Sequence, residues 1–124
     1  MQCPKCNEIM EMVVYAEIEV ERCTGCRGLF FDAMEAERLK SLRGSEAIDI
    51  GEPEVGKQLN KRDRIRCPRD ATPMIRVVDP EQPHIWTETC PVCFGSFFDA
   101  GEFRDFKQET FGDILKSWFV RERS

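Results

Sequence analysis

Apolar and polar residues alternate along two stretches of the chain. From Met12 to Val20, the apolar residues Met12, Val14, Ala16, Ile18 and Val20 are separated by mostly polar ones, the period of a half-buried strand. No turn signal marks where this arm reverses. In the second stretch Met74-Ile75-Arg76-Val77-Val78 is followed by Asp79-Pro80-Glu81-Gln82-Pro83 and then His84-Ile85-Trp86-Thr87-Glu88-Thr89. Two prolines and an aspartate between β-branched runs predict a loop joining two strands. Short helices should follow each arm, because Asp32 and Asp99 stand three residues before Glu35 and Glu102, a capping-box spacing. Phe98 and Phe103 are placed to staple the second helix, with Phe31 and Ala36 a smaller counterpart in the first. Near the C-terminus Phe111, Ile114, Leu115, Trp118 and Phe119 recur three and four apart, the face of an amphipathic helix.

These elements repeat. Cys3-Pro4-Lys5-Cys6 leads to Cys23-Thr24-Gly25-Cys26-Arg27-Gly28-Leu29-Phe30-Phe31-Asp32-Ala33-Met34-Glu35. Cys67-Pro68-Arg69-Asp70 leads to Cys90-Pro91-Val92-Cys93-Phe94-Gly95-Ser96-Phe97-Phe98-Asp99-Ala100-Gly101-Glu102. From Cys23 and Cys90 onward the copies run without a gap, and the intervening arms differ by three residues, an indel that a hairpin tip tolerates. The chain therefore divides into a first unit at 1–40, a linker at 41–66 with room for a helical turn or two, a second unit at 67–106 and a tail helix at 107–124. Gly28 and Gly95, two residues past the last cysteine of each unit, are candidates for positive φ where the chain leaves its turn.

Composition narrows the class. The 124 residues are 41% apolar and 33% charged, a soluble globular balance with no run long enough to span a membrane. The N-terminus carries no apolar leader, which predicts a cytoplasmic protein. There the seven cysteines, an odd number, stay reduced and free for metal rather than disulfides. Each unit is about 40 residues, too few to bury a self-sufficient core, so something must staple it.

Zinc fits that need. A Cys-x-x-Cys pair sets two sulfurs on one side of a tight turn, and two such turns brought together by a hairpin complete a tetrahedron. Cys3, Cys6, Cys23 and Cys26 have this spacing. In the second unit Cys67, Cys90 and Cys93 match, but Asp70 stands at the fourth position. Three donors compete for that corner. Asp70 ranks first because it already lies in the turn. His84, the softer ligand, ranks second because it is six residues before Cys90 on the returning strand, roughly 20 Å away if fully extended. Water ranks third. Two structural zinc ions per chain are expected.

With these motifs in view, the chain resembles the transcription-factor-IIB-type zinc-ribbon family. The resemblance rests on Cys3, Cys6, Cys23, Cys26, Gly28, Phe30, Phe31, Asp32 and Glu35, and in the second copy on Cys67, Cys90, Cys93, Gly95, Phe97, Phe98, Asp99 and Glu102. It implies a small, metal-stabilised α+β fold of two tandem zinc ribbons, each a β-hairpin plus a short helix. It implies little about activity.

Function is constrained more loosely. A single histidine and the absence of a Ser-His-Asp, phosphate-loop or His-Glu-x-x-His pattern predict a protein that is not an enzyme. A protein-interaction or scaffold module is the favoured reading, with the stripe Phe111, Ile114, Leu115, Trp118 and Phe119 as a partner or homodimer face. The net charge of −5 gives no global attraction to nucleic acid. Lys57, Lys61, Arg62, Arg64 and Arg66 nevertheless form a local basic stretch able to meet phosphates. A third reading is zinc sensing or handling through the Asp70-containing site.

Overall fold

A computed structural model describes residues 1–62, 64–78 and 86–107, with Trp86 by its backbone. Residues 108–124 of the expected tail helix and His84 lie outside the described residues. The first half contains β1 (Met10–Tyr15), β2 (Ile18–Cys23), β3 (Leu29–Phe31) and α1 (Glu35–Lys40). A 3₁₀ turn (Ser45–Ile48) and α2 (Pro53–Leu59) cross to the second half, which contains β4 (Ile75–Val78), β5 (Trp86–Thr89) and β6 (Ser96–Phe98). Residues 102–107 are helical. Among the described residues no helix is long and apolar enough to cross a membrane.

Among the described residues six strands form one antiparallel sheet in the order β1-β2-β3-β6-β5-β4. The halves meet at its centre, where Leu29 pairs with Phe98, Phe30 with Phe97 and Phe31 with Ser96. Phe30 and Phe97 are equivalent positions of the repeat, so the pairing is a two-fold axis inside one chain, the geometry of an isologous dimer. Side chains alternate across the sheet and give it two cores. On one face Leu29, Phe31 and Phe98 pack with Leu39, Ile48, Phe103 and Phe106. On the other, Phe30 and Phe97 pack among Cys3, Cys23, Cys26, Cys67 and Cys90.

The first arm differs from the single alternating face its sequence suggested. The chain reverses at Ala16-Glu17, both at positive φ (50° and 69°) as a tight hairpin turn requires. Val13 pairs with Val20 and Val14 with Glu19, so Met12 and Val14 sit opposite Ile18 and Val20. Ile18 and Val20 are buried while Met12 and Val14 are exposed.

The helix starts also depart from the capping-box expectation. The residue preceding α1 is Met34 at φ 69°, and no side chain caps it. Asp32 and Asp99 contribute their backbone carbonyls instead, accepting from the Glu35 and Glu102 amides at 3.0 Å each. In the second half the capping role passes to Asp49 of the linker, whose carboxylate accepts from the amides of Gly101 (2.9 Å) and Arg104 (3.1 Å). The aromatic staple does form: the Phe98 and Phe103 rings meet edge-on, with centroids 6.1 Å apart.

Candidate metal centres and the contacts that join them

Four tight turns, two per half, present the metal-site residues. The residue after each second donor has a left-handed backbone: Asn7 (φ 66°), Arg27 (66°), Ala71 (63°) and Phe94 (63°). This conformation turns the chain back so that the amides of Asn7, Ala71 and Phe94 donate to the carbonyls of Cys3, Cys67 and Cys90 at 2.9 to 3.0 Å. The turns also aim amides at sulfur: Lys5 N–H at Cys3 Sγ, Gly25 at Cys23, Arg69 at Cys67 and Val92 at Cys90, all 3.3 to 3.4 Å. Such donors favour the thiolate form that a metal needs.

Gly28 and Gly95 are thus not the positive-φ residues. They are required for close approach across the two-fold axis. A Cβ on Gly28 would fall 2.3 Å from the Phe97 ring, and one on Gly95 would fall 2.4 Å from the Phe30 ring. Each half's glycine makes room for the other half's phenylalanine.

Two groups of donors result. The ligand atoms of Cys3, Cys6, Cys23 and Cys26 lie within 4.8 Å of one another, as do those of Cys67, Asp70, Cys90 and Cys93. A tetrahedral zinc ion with bonds of about 2.3 Å to sulfur and 2.0 Å to oxygen sets S···S near 3.8 Å and S···O near 3.5 Å. The structure gives 3.7 Å for Cys3–Cys26, 3.3 Å for Cys6–Cys23 and 3.6 Å for Cys67–Cys93. Both Asp70 carboxylate oxygens are 3.5 Å from Cys90 Sγ. Both groups have the size and donor set for zinc. Three of the thiols resist ionisation without metal: burial pushes Cys23 up to about 11 and Cys67 up to about 12. Contact with Cys3, then burial, raises Cys26 as well. Metal loading must displace these protons, so affinity weakens as the pH falls.

Sequence reasoning missed the residues that lock the two halves together. Lys5 and Arg69 occupy the same place in equivalent turns, and each reaches the aspartate of the other half. Lys5 is buried, with Nζ 2.8 Å from Glu88 Oε1 and 3.4 Å from Asp99 Oδ2, and it donates to the carbonyls of Leu59 (2.9 Å) and Arg62 (2.6 Å). Arg69 makes a two-point ion pair with Asp32, with Nη2 2.9 Å from Oδ2 and Nε on Oδ1, at the surface. The aspartates are therefore spent on crosswise ion pairs, which is why they do not cap. The signal was a basic residue third in both turns and an aspartate after both aromatic pairs. What hid it was that capping explains the aspartates locally.

Around Lys5 the acidic groups are crowded. Burial raises the Asp99 carboxyl to about 6, against the pull of the Lys5 ammonium and with a further push from Glu88. Burial and the Asp99 charge hold Glu102 protonated, up to about 10. The Asn60 amide, oriented with its nitrogen toward them, donates to Asp99 Oδ2 (3.0 Å) and Glu102 Oε1 (3.1 Å).

Lys57, Lys61, Arg62, Arg64 and Arg66 are all exposed. Part of the stretch is engaged internally: Arg62 donates to the Lys5 carbonyl, Arg66 to that of Ala71, and Lys57 lies 3.8 Å from Glu54. Phe111, Ile114, Leu115, Trp118 and Phe119 are outside the described residues.

Neither a curated protein nor a solved structure matches the chain. A family model described as a transcription factor zinc-finger matches residues 2–42, the segment that carries the four-cysteine group.

Proposed function

We propose that this protein is a structural zinc protein that holds two zinc ions, has no catalytic role, and serves as a protein-interaction or scaffold module in a reducing compartment. The observation that carries the reading is the pair of four-donor groups of matched geometry on either side of one central strand pair. Cys3, Cys23, Cys26, Cys67 and Cys90 belong to the same buried cluster as Phe30 and Phe97, so metal and core are one structure. Zinc would be held by Cys3, Cys6, Cys23 and Cys26 in the first half, and by Cys67, Asp70, Cys90 and Cys93 in the second. There it would supply folding free energy that units this small lack, and the charged groups nearest the sites, Lys5 and Arg69, serve architecture.

The interaction role is supported by the outer strands. Among the described residues β1 and β4 are the outermost strands of the sheet, and they carry Met12 (58% exposed), Val14 (57%) and Ile75 (53%). Apolar edges of this kind are suited to pairing with an added strand from another protein.

Native mass spectrometry of the purified full chain should show two zinc ions per polypeptide, and stripping them with EDTA should collapse the near-ultraviolet circular dichroism of the buried aromatics. A chain that keeps its fold without metal would overturn the proposal.

A further inference from the structure

The two metal-site residue groups are related by a two-fold axis but are not equally protected. The first has four sulfurs, and the turn that carries Cys3 and Cys6 is clamped from both sides. Lys5, between them, is tied to Glu88, Asp99 and the Leu59 and Arg62 carbonyls in the interior, and the Arg62 guanidinium returns a hydrogen bond of 2.6 Å to the Lys5 carbonyl. The equivalent turn of the second group, carrying Cys67 and Asp70, is fastened across the axis by Arg69–Asp32, whose side chains are 40% and 44% exposed. Exposed pairs of this kind contribute little to stability. Asp70 is itself exposed, whereas Cys67 and Cys90 beside it are buried. Its carboxylate accepts from the Thr72 amide at 3.0 Å while both of its oxygens lie 3.5 Å from Cys90 Sγ.

Resting on the two-zinc reading above, we propose that the second site is an exchange site, at which Asp70 is the ligand that leaves and a thiolate from outside the protein takes its place. Two observations converge. Asp70 is the one hard donor among soft ones, so its bond to zinc is the easiest to replace with sulfur. It stands on the solvent side of its group, so an incoming ligand reaches that corner without disturbing the buried sulfurs. The exchange balances in charge: one anionic oxygen donor leaves, one anionic sulfur donor enters, the incoming thiol gives its proton to solvent, and no electrons move. The ligand class is a small thiol such as glutathione. The first site has no equivalent opening, because Cys6 is soft and its turn is anchored in the interior.

The test uses the full chain loaded to two zincs, verified by native mass spectrometry, with the chromophoric chelator 4-(2-pyridylazo)resorcinol reporting release. Two phases of one zinc each are expected, with the faster at least roughly tenfold quicker than the slower. Asp70→Cys should move the fast zinc into the slow phase, and Cys6→Asp should create a second fast one. In the cobalt-loaded chain, added glutathione should strengthen the sulfur-to-cobalt charge-transfer band of the wild type and leave Asp70→Cys unchanged. Release of both zincs in one phase, a fast phase that survives Asp70→Cys, or a band indifferent to glutathione would each overturn the exchange role while leaving two structural zincs in place. A chain that accepts only one zinc would instead remove the two-zinc reading itself, and the exchange site with it.

Discussion

Lys5 and Arg69 hold equivalent positions, yet their surroundings give them unequal weight. Lys5 is an ammonium in the interior facing Glu88 and Asp99, both buried. Removing one partner of a buried pair leaves charge without compensation and costs about 3–5 kcal/mol. Arg69 and Asp32 meet where water screens them, and such pairs contribute about 1 kcal/mol or less. Chemical denaturation of the zinc-loaded chain should therefore rank Lys5→Met far below wild type and Arg69→Met close to it, and equal losses would sink the distinction. Glu102 adds a pH signature. Its ordinary value is 4.5, and burial with the Asp99 charge raises it to about 10 in the folded chain. Between these values the folded state keeps a proton that the unfolded state has lost, so this group's contribution to stability declines as pH rises. Glu102→Gln removes the titration. The variant should be about 1–3 kcal/mol more stable than wild type near pH 8. It should also show a flatter stability profile between those two values. A variant that is less stable, or that keeps the full slope, would contradict the assignment.

Local rules made much of the architecture legible at the scale of elements, and each failure has a physical reason. Matched cysteine spacing located both donor groups, because two short turns and a returning hairpin leave few other arrangements. The β-branched runs on either side of 79–85 supplied β4 and β5, and Phe98 with Phe103 marked a helix entrance. The first hairpin was misjudged because Ala16-Glu17 lacks the glycine or asparagine that announces a tight turn, and apolar alternation ran straight through it. The helix caps were misjudged because an aspartate three residues ahead of a glutamate satisfies a local pattern. The partners that actually claim these residues, Arg69 for Asp32 and Lys5 for Asp99, lie far off in sequence. The cap that does form comes from Asp49, about fifty residues before the amides it serves, a distance at which periodicity carries no information. Strands β3 and β6 are three residues each, too short to show a period, though they join everything else.

At the scale of the whole molecule, the repeat announced two similar units but not that they would face each other across a two-fold axis. The pairing of Phe30 with Phe97 makes the second half a surrogate for a second copy of the first. Cut from its partner, the first half would expose the outer edge of β3 and the Phe30 ring, a strand edge and an aromatic that are covered in the intact chain. The covering could be supplied by another first half. Phe30 would pair with its own counterpart, Gly28 would receive that ring as it now receives Phe97, and Lys5 would meet Asp32 of the second copy in place of Asp99. Leu29 in place of Ser96 adds apolar surface to that junction. A fragment of residues 1–62 with one zinc per chain is thus expected to run as a dimer in light scattering. Phe30→Asp should break the dimer without removing the zinc, since the four sulfurs are supplied within one half. A monomeric, well-folded fragment would show that the first half closes its own core. The axis would then be a docking of finished units rather than the contact on which both depend.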